Sequence, residues 1–178
     1  MKLLLKELHH DELESFWNIA FSDVNAKWTK FNGPYFKDKL PRKEYYITGE
    51  TAQKHLDNPF FKAIYFNNQI IGSVSAYYED GKLKRWLDVG ICIYDEKFWH
   101  QGIGKIALSQ WINELFKLTD LPHIGLTTWS GNISMMKLAE KVGLHQEARI
   151  PQVRYWDGKY WDSVKYGILS KDWFKKHV

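Results

Sequence analysis

The sequence predicts a mixed α/β (α+β) fold: a central, mostly antiparallel sheet, splayed in the middle, with helices on both faces. Three observations predict it. The strand-like runs Lys62–Phe66, Ile70–Tyr78 and Leu87–Tyr94 follow one another with turn residues between them, as an antiparallel meander does. From Gly104 the apolar residues recur at helical spacing, so a helix follows the third run directly. A strand, a helix and a hairpin then close the chain, which makes a sheet with helices packed on it.

Taken in order, Leu3–Leu8 reads as a short strand. Asp11 stands where it can cap a helix running through Phe21, with Leu13, Phe16, Trp17 and Ala20 on one face. From Trp28 to Tyr46 the pattern dissolves into Gly33-Pro34, Pro41 and interleaved lysines and rings, the mark of an irregular or partly helical excursion. Thr51–Leu56 reads as one more short helix. Within the meander, Asn67-Asn68 and Asp80-Gly81 are hairpin chemistry, Asp-Gly suiting the positive φ values of a type I′ turn. Ala107, Leu108, Trp111, Ile112, Leu115 and Phe116 then share a helix face. Ile124–Trp129 is an apolar strand, Asn132 caps a helix over Ile133–Val142, and Gly143 ends it from the C′ position. Ala148–Trp156 and Tyr160–Leu169 flank Asp157-Gly158-Lys159, a second hairpin, and the chain stops soon after.

At 178 residues the chain can bury one sizeable core and is short for two, so a single domain over 1–178 is expected. Hydrophobic residues at 44% and charged residues at 26% exclude a disordered or collagen-like chain. The net charge of +4 comes from Lys and Arg scattered singly. Without a dense basic stripe no nucleic-acid partner is expected, while a small polyanionic cofactor suits the balance. The single Cys92 excludes an internal disulfide and suits a reducing compartment. The opening MKLLLKELHHDE has too short an apolar run for a signal peptide, and no stretch reaches the ~20 apolar residues of a membrane span. A cytoplasmic protein without a membrane partner is expected. The seven His residues show no H-x-x-x-H or Cys/His pairing, so no metal site is expected. Aromatic residues cluster in 28–46 and 155–161. They either line grooves or fill the core.

The stretch Trp99-His100-Gln101-Gly102-Ile103-Gly104-Lys105 places two glycines where a helix must begin. The first amides of a helix lack internal partners and carry the positive end of its dipole, so a bare backbone there cradles an anion. A tight strand-to-helix turn would also use glycine, and spacing alone leaves both readings open. A P-loop is excluded: no glycine stands five residues before Gly104, and no Ser or Thr follows Lys105. The dinucleotide fingerprint is formally present as Gly102-Ile103-Gly104-Lys105-Ile106-Ala107. A hairpin meander precedes it, however, and the next strand ends at Thr128-Trp129 without the acidic ribose anchor.

A third scheme covers more of the chain. DVGICIYDEKFWHQGIGKIAL and TTWSGNISMMKLAEKVGL, in this strand order, resemble the two motifs of the GNAT acyl-CoA N-acyltransferase superfamily, over roughly residues 60–170. Within it they look most like the branch that modifies ribosomal-protein N-termini. The resemblance implies a GNAT-like fold and an acetyl-CoA-dependent N-acetyltransferase whose acceptor is a primary amine. It implies that Gln101, Gly102, Ile103, Gly104 and Lys105 offer amides to the CoA pyrophosphate. Ile91, Cys92 and Ile93 would pair with the pantetheine arm, as a sheet edge accepts an added strand, and Asn132 would contact that arm. Trp99 and His100 depart from the usual residues without disturbing backbone donation, whereas Ala139 stands where many members carry the tyrosine that protonates the leaving thiolate.

Transfer from a thioester to an amine needs an unprotonated amine, a polarised carbonyl and a proton for the thiolate. An amide of Cys92 or Ile93 would polarise the carbonyl. Asp88 is the candidate base, against the reading that it is an exposed strand-start residue near Arg85. Glu96 reads as a solvated turn residue. With Ala139 at the acid position, Ser134, a ring hydroxyl or water would supply the proton. Cys92 lacks the His-Asp partners of a nucleophile. The rings of Trp28–Tyr46 and Tyr155–Trp161 are expected on the acceptor side, gripping a peptide end or a small amine. The alternatives are a dinucleotide-binding oxidoreductase and a non-catalytic acyl-CoA-binding module. A homodimer is left open.

Overall fold

At Asn67-Asn68 the backbone takes φ values of 48° and 66°, the left-handed pair that a type I′ turn demands. It folds β2 (Phe61–Phe66) back on β3 (Gln69–Tyr78). The computed structural model of the chain describes residues 2–177, so Met1 and Val178 of the expected domain lie outside the described residues. The remaining strands are β1 (Leu3–Lys6), β4 (Leu87–Ile93), β5 (His123–Trp129), β6 (His145–Trp156) and β7 (Lys159–Leu169). They form one seven-stranded sheet in the order β1-β2-β3-β4-β5-β7-β6. The described pairs β1–β2, β2–β3, β5–β7 and β6–β7 are antiparallel. β4 and β5 are parallel, with Leu87 opposite Ile124 and Asp88 opposite Gly125. The second hairpin also turns as expected, Asp157 and Gly158 taking φ of 50° and 76°.

The helices are α1 (Leu13–Ala20), α2 (Lys43–Ile47), α3 (Ile103–Thr119), α4 (Ile133–Val142) and α5 (Ser170–His177). Among the described residues, no helix is long and apolar enough to cross a membrane. Several expectations are corrected. Asp11 is not the cap: His10–Glu12 form a 3₁₀ turn, and the Glu12 carboxylate accepts the His9 N–H at 3.1 Å. Thr51–His55 is a series of turns and not a helix: Gly49 and Asp57 take left-handed φ on either side, and Leu56 forms an isolated parallel bridge with Leu8. Asp80-Gly81 is not a two-residue hairpin. Lys82, Lys84 and Arg85 carry no strand alternation, so the chain makes a 3₁₀ turn over Gly81–Leu83, and Asp80 accepts the Arg85 N–H at 3.0 Å.

The chain packs as two compact units, one of residues up to Ser75 with Ile91–Ala107, the other of Ala76–Gly90 with Leu108 onward. In the first, Leu8, Leu13, Phe16, Ala20, Tyr46 and Phe61 form a buried core. His55 stacks on Phe61 at 4.2 Å and shares a hydrogen bond with the Tyr46 hydroxyl at 2.7 Å. Burial draws its pKa down to about 4, so the ring sits there uncharged. Trp28 and Tyr46, two of the aromatic residues in 28–46, thus fill the core, while Phe36 remains exposed.

In the second unit Trp111, Leu115, Ile124, Leu126, Val164, Tyr166 and Ile168 are buried. The helix α5, which periodicity did not reveal, docks Trp173 with no residual exposure, its ring 6.3 Å from Phe116. Deleting so large a buried side chain removes both transfer energy and packing. Trp173→Ala is expected to cost about 3–5 kcal/mol in urea unfolding; a loss below about 1 kcal/mol would show that the last helix is not docked.

Candidate active site

In the first unit, β4 leads into α3 through a fastened turn. Asp95 accepts the Lys97 N–H at 3.0 Å and starts a 3₁₀ turn over Glu96–Phe98. Glu96 is exposed, as the sequence suggests, and pairs with Lys27. The Trp99 indole N–H donates to the Ile93 carbonyl at 2.8 Å, and its ring meets Phe31 edge-on at 5.9 Å. His100 takes φ 59°, which reverses the chain, and the Gln101 amide group donates to the Lys97 carbonyl at 2.5 Å.

Gly102 has φ 79°, and a Cβ built there would meet nothing within 4 Å. The glycine is therefore needed for its backbone conformation, and the space beside it is open. The first helical bond runs from the Ile106 N–H to the Gly102 carbonyl at 3.3 Å. The amides of Ile103, Gly104 and Lys105 thus belong to the turn that has no acceptor inside the helix. Gly104 lies within α3 at an ordinary helical φ. Turn geometry does not require it, and it costs about 1 kcal/mol relative to alanine there.

Just past the end of β4 the Tyr94 N–H donates to the Ile71 carbonyl of β3 at 2.9 Å. Amides alternate along a strand, so Cys92 shares the β3-facing side with Tyr94, and the Ile91 and Ile93 peptides face the other way. Close approach of β3 is visible at Gly72, where a Cβ would stand 2.3 Å from the Cys92 carbonyl oxygen. Burial pushes the Cys92 thiol up, away from a nucleophile's range. Tyr94 shares a hydrogen bond with Ser73 at 2.7 Å.

Asp88 belongs to the second unit. It is 1% exposed, so it is not the exposed strand-start residue of the competing reading. Its carboxylate lies over Gly125 of β5, where a Cβ would come within 2.3 Å of Oδ1. The Thr127 hydroxyl donates to Oδ2 at 2.6 Å, and Lys165 Nζ stands 4.0 Å from the same oxygen. Burial pushes the Asp88 carboxyl up, the Thr127 hydrogen bond and the Lys165 charge oppose that rise, and Glu79 adds to it. In the same unit, Asn132 caps α4, its side-chain oxygen accepting the Met135 N–H at 3.0 Å. Ser134 lies exposed in the first turn of that helix, and Ala139 is fully buried. On the β6–β7 hairpin, Tyr155 and Tyr160 are exposed. Among the described residues no His, Cys, Asp or Glu group has a metal-holding arrangement.

The family model for the acetyltransferase (GNAT) domain matches residues 2–145. The chain belongs to the GNAT acetyltransferase family. That membership favours an acyltransferase and not the dinucleotide-binding oxidoreductase or the non-catalytic module. No curated protein matches the sequence significantly. Solved GNAT structures share its fold. An acetyltransferase (GNAT family) from Bacillus anthracis superposes with a TM-score of 0.76 at 16% identity, over 96% of both chains. Spermidine N-acetyltransferase from Vibrio cholerae, solved with CoA and spermine, gives 0.76 at 18% identity over 97% of this chain and 98% of that one. An acetyl transferase from Salmonella typhimurium that modifies the N-terminal serine of ribosomal protein L7/L12 gives 0.71 at 16% identity, over 95% of both chains.

Sequence reasoning did not find Thr127, Lys165 or Glu79 beside Asp88. The β5–β7 register sets Thr127 opposite Lys165, and the β4–β5 pairing sets Asp88 opposite Gly125, two residues before Thr127. Their setting has a consequence for this GNAT chain's stability. A carboxyl whose folded pKa lies above the unfolded one contributes stability that is fully present below the ordinary value of 3.8 and is lost as pH rises through the folded value. Asp88→Asn should therefore gain on the wild type in urea unfolding as pH rises from about 4 to about 8. Parallel pH dependences for the two proteins would contradict the burial of a charged group.

Proposed function

We propose that this GNAT chain transfers the acetyl group of acetyl-CoA to a primary amine, with 1–178 acting as one catalytic domain in a reducing, cytoplasmic setting. The open mouth of α3 carries the reading. An unblocked Gly102, a helical Gly104 that the backbone does not require, and the amides of Ile103 to Lys105, which have no acceptor inside the helix, suit a diphosphate. Acetyl-CoA supplies the activated acyl group. Gln101 to Lys105 would hold its pyrophosphate, and the outward peptides of Ile91 and Ile93, with Asn132, would align its arm, the Cys92 peptide between them being turned to β3.

The alternation on β4 favours Ile93 over Cys92 as the amide that polarises the carbonyl, because the Cys92 side faces β3. Asp88, buried and held by Thr127, would take the proton of the amine, directly or through water. Ser134 or solvent would return a proton to the thiolate, Ala139 having none to give. The acceptor class is a small polyamine or a peptide N-terminus, the two kinds of amine that the solved relatives' names describe.

The test combines calorimetry with an amine screen read by thiol release. Gly102→Val/Gly104→Val should abolish the heat of CoA binding seen with wild type; indistinguishable heats would end the proposal. Asp88→Asn should leave CoA binding intact and lower kcat by about 10²–10⁴.

A further inference from the structure

Asp88 does not act from isolation: three charged or polar side chains from other elements converge on it. Thr127 comes from β5, Lys165 from β7 and Glu79 from the β3–β4 loop. Lys165 Nζ donates to Thr127 Oγ1 at 2.9 Å, and lies 3.8 Å from Glu79 Oε2 and 4.9 Å from the Trp86 ring centre. The remaining neighbour is His123 of β5, which faces Glu147 of β6 at 2.9 Å.

Donor chemistry fixes the direction of this chain. An ammonium only donates, so the Thr127 oxygen must accept from Lys165 and its single proton is left for Asp88. Asp88 then receives a hydrogen bond, and a positive charge beyond it, both of which favour the carboxylate over the acid. Burial of Asp88 alone would favour the acid, which cannot accept an amine's proton. We infer that Thr127 and Lys165 are positioning residues that hold the Asp88 carboxylate in one orientation and favour its ionised form against the effect of burial, with Glu79 limiting how strongly Lys165 does so. The inference rests on the reading of Asp88 as the base of acetyl transfer.

The experiment uses the full chain and two readouts. One is the titration of the Asp88 carboxyl by ¹³C NMR without ligands. The other is the acid limb of kcat/KM against pH, with acetyl-CoA and an amine found by the screen. Lys165→Met and Thr127→Val should move both midpoints up by about one pH unit, Glu79→Gln should move them down, and Lys165→Arg and Thr127→Ser should restore them. A role that merely holds the sheet together would lower activity at every pH without these opposed shifts. A carboxyl midpoint unmoved in Lys165→Met overturns the inference whether or not the protein acetylates amines. A shifted carboxyl with an unshifted acid limb also overturns it, while acetyl transfer stands. A shifted carboxyl in a protein that releases no thiol with any amine instead overturns the acetyl-transfer reading, and the catalytic meaning of the pair with it.

Discussion

A helix cannot satisfy its own first amides, and α3 begins with such amides beside open space. Its first internal bond reaches back from Ile106 to Gly102, and beside Gly102 there is free space. The turn that delivers β4 to this point is fixed by neighbours in the same unit, not by the helix. Trp99 spends its indole N–H on the Ile93 carbonyl and its ring on Phe31, Asp95 holds Lys97, and His100 takes a left-handed conformation that a larger energetic context must support. Rigid lead-in and open mouth belong together. A ligand that docks on backbone amides gains from their being already oriented, since no ordering cost is then charged to binding.

Asp88 shows the opposite use of the fold. Where α3 begins with amides that have no acceptor inside the helix, β4 takes an ionisable group out of water. The sheet accommodates it specifically: Gly125 removes the side chain that would collide with the carboxylate, and Thr127 supplies a donor. Such a group lowers stability at neutral pH, and its retention in the core makes sense where its basicity is used.

The sequence made the strand and helix order readable because alternation, helical spacing and Asn-Asn or Asp-Gly pairs are local signals. Asn67-Asn68, Asp157-Gly158, Asn132 and Gly143 all behave as their chemistry dictates. Failures fell where a local signal had a rival. Asp80-Gly81 has hairpin residues but a charged, non-alternating flank, and α5 is short and rich in lysine, with Trp173 buried and Phe174 half-buried against Phe116. The glycines of the candidate site were legible as a pattern, but only φ separates their roles. Gly102 is demanded by the turn and Gly104 is not. Thr127 and Lys165 were illegible, being 38 residues apart and joined only through strand register.

Ala139 bears on how the chemical burden is divided. It lies fully buried within α4, on the face that also buries Val142, so that helix offers no hydroxyl at the place where a proton donor was sought. A thiolate is a tolerable leaving group near neutral pH, free thiols having pKa values around 8.5, whereas an aliphatic ammonium near 10.4 is almost wholly protonated there. On the proposed reading the steeper demand is therefore for a base, which puts the weight of the chemistry on the carboxylate. The buried Asp88, its Thr127 donor and the half-buried Lys165 behind them are consistent with that weighting.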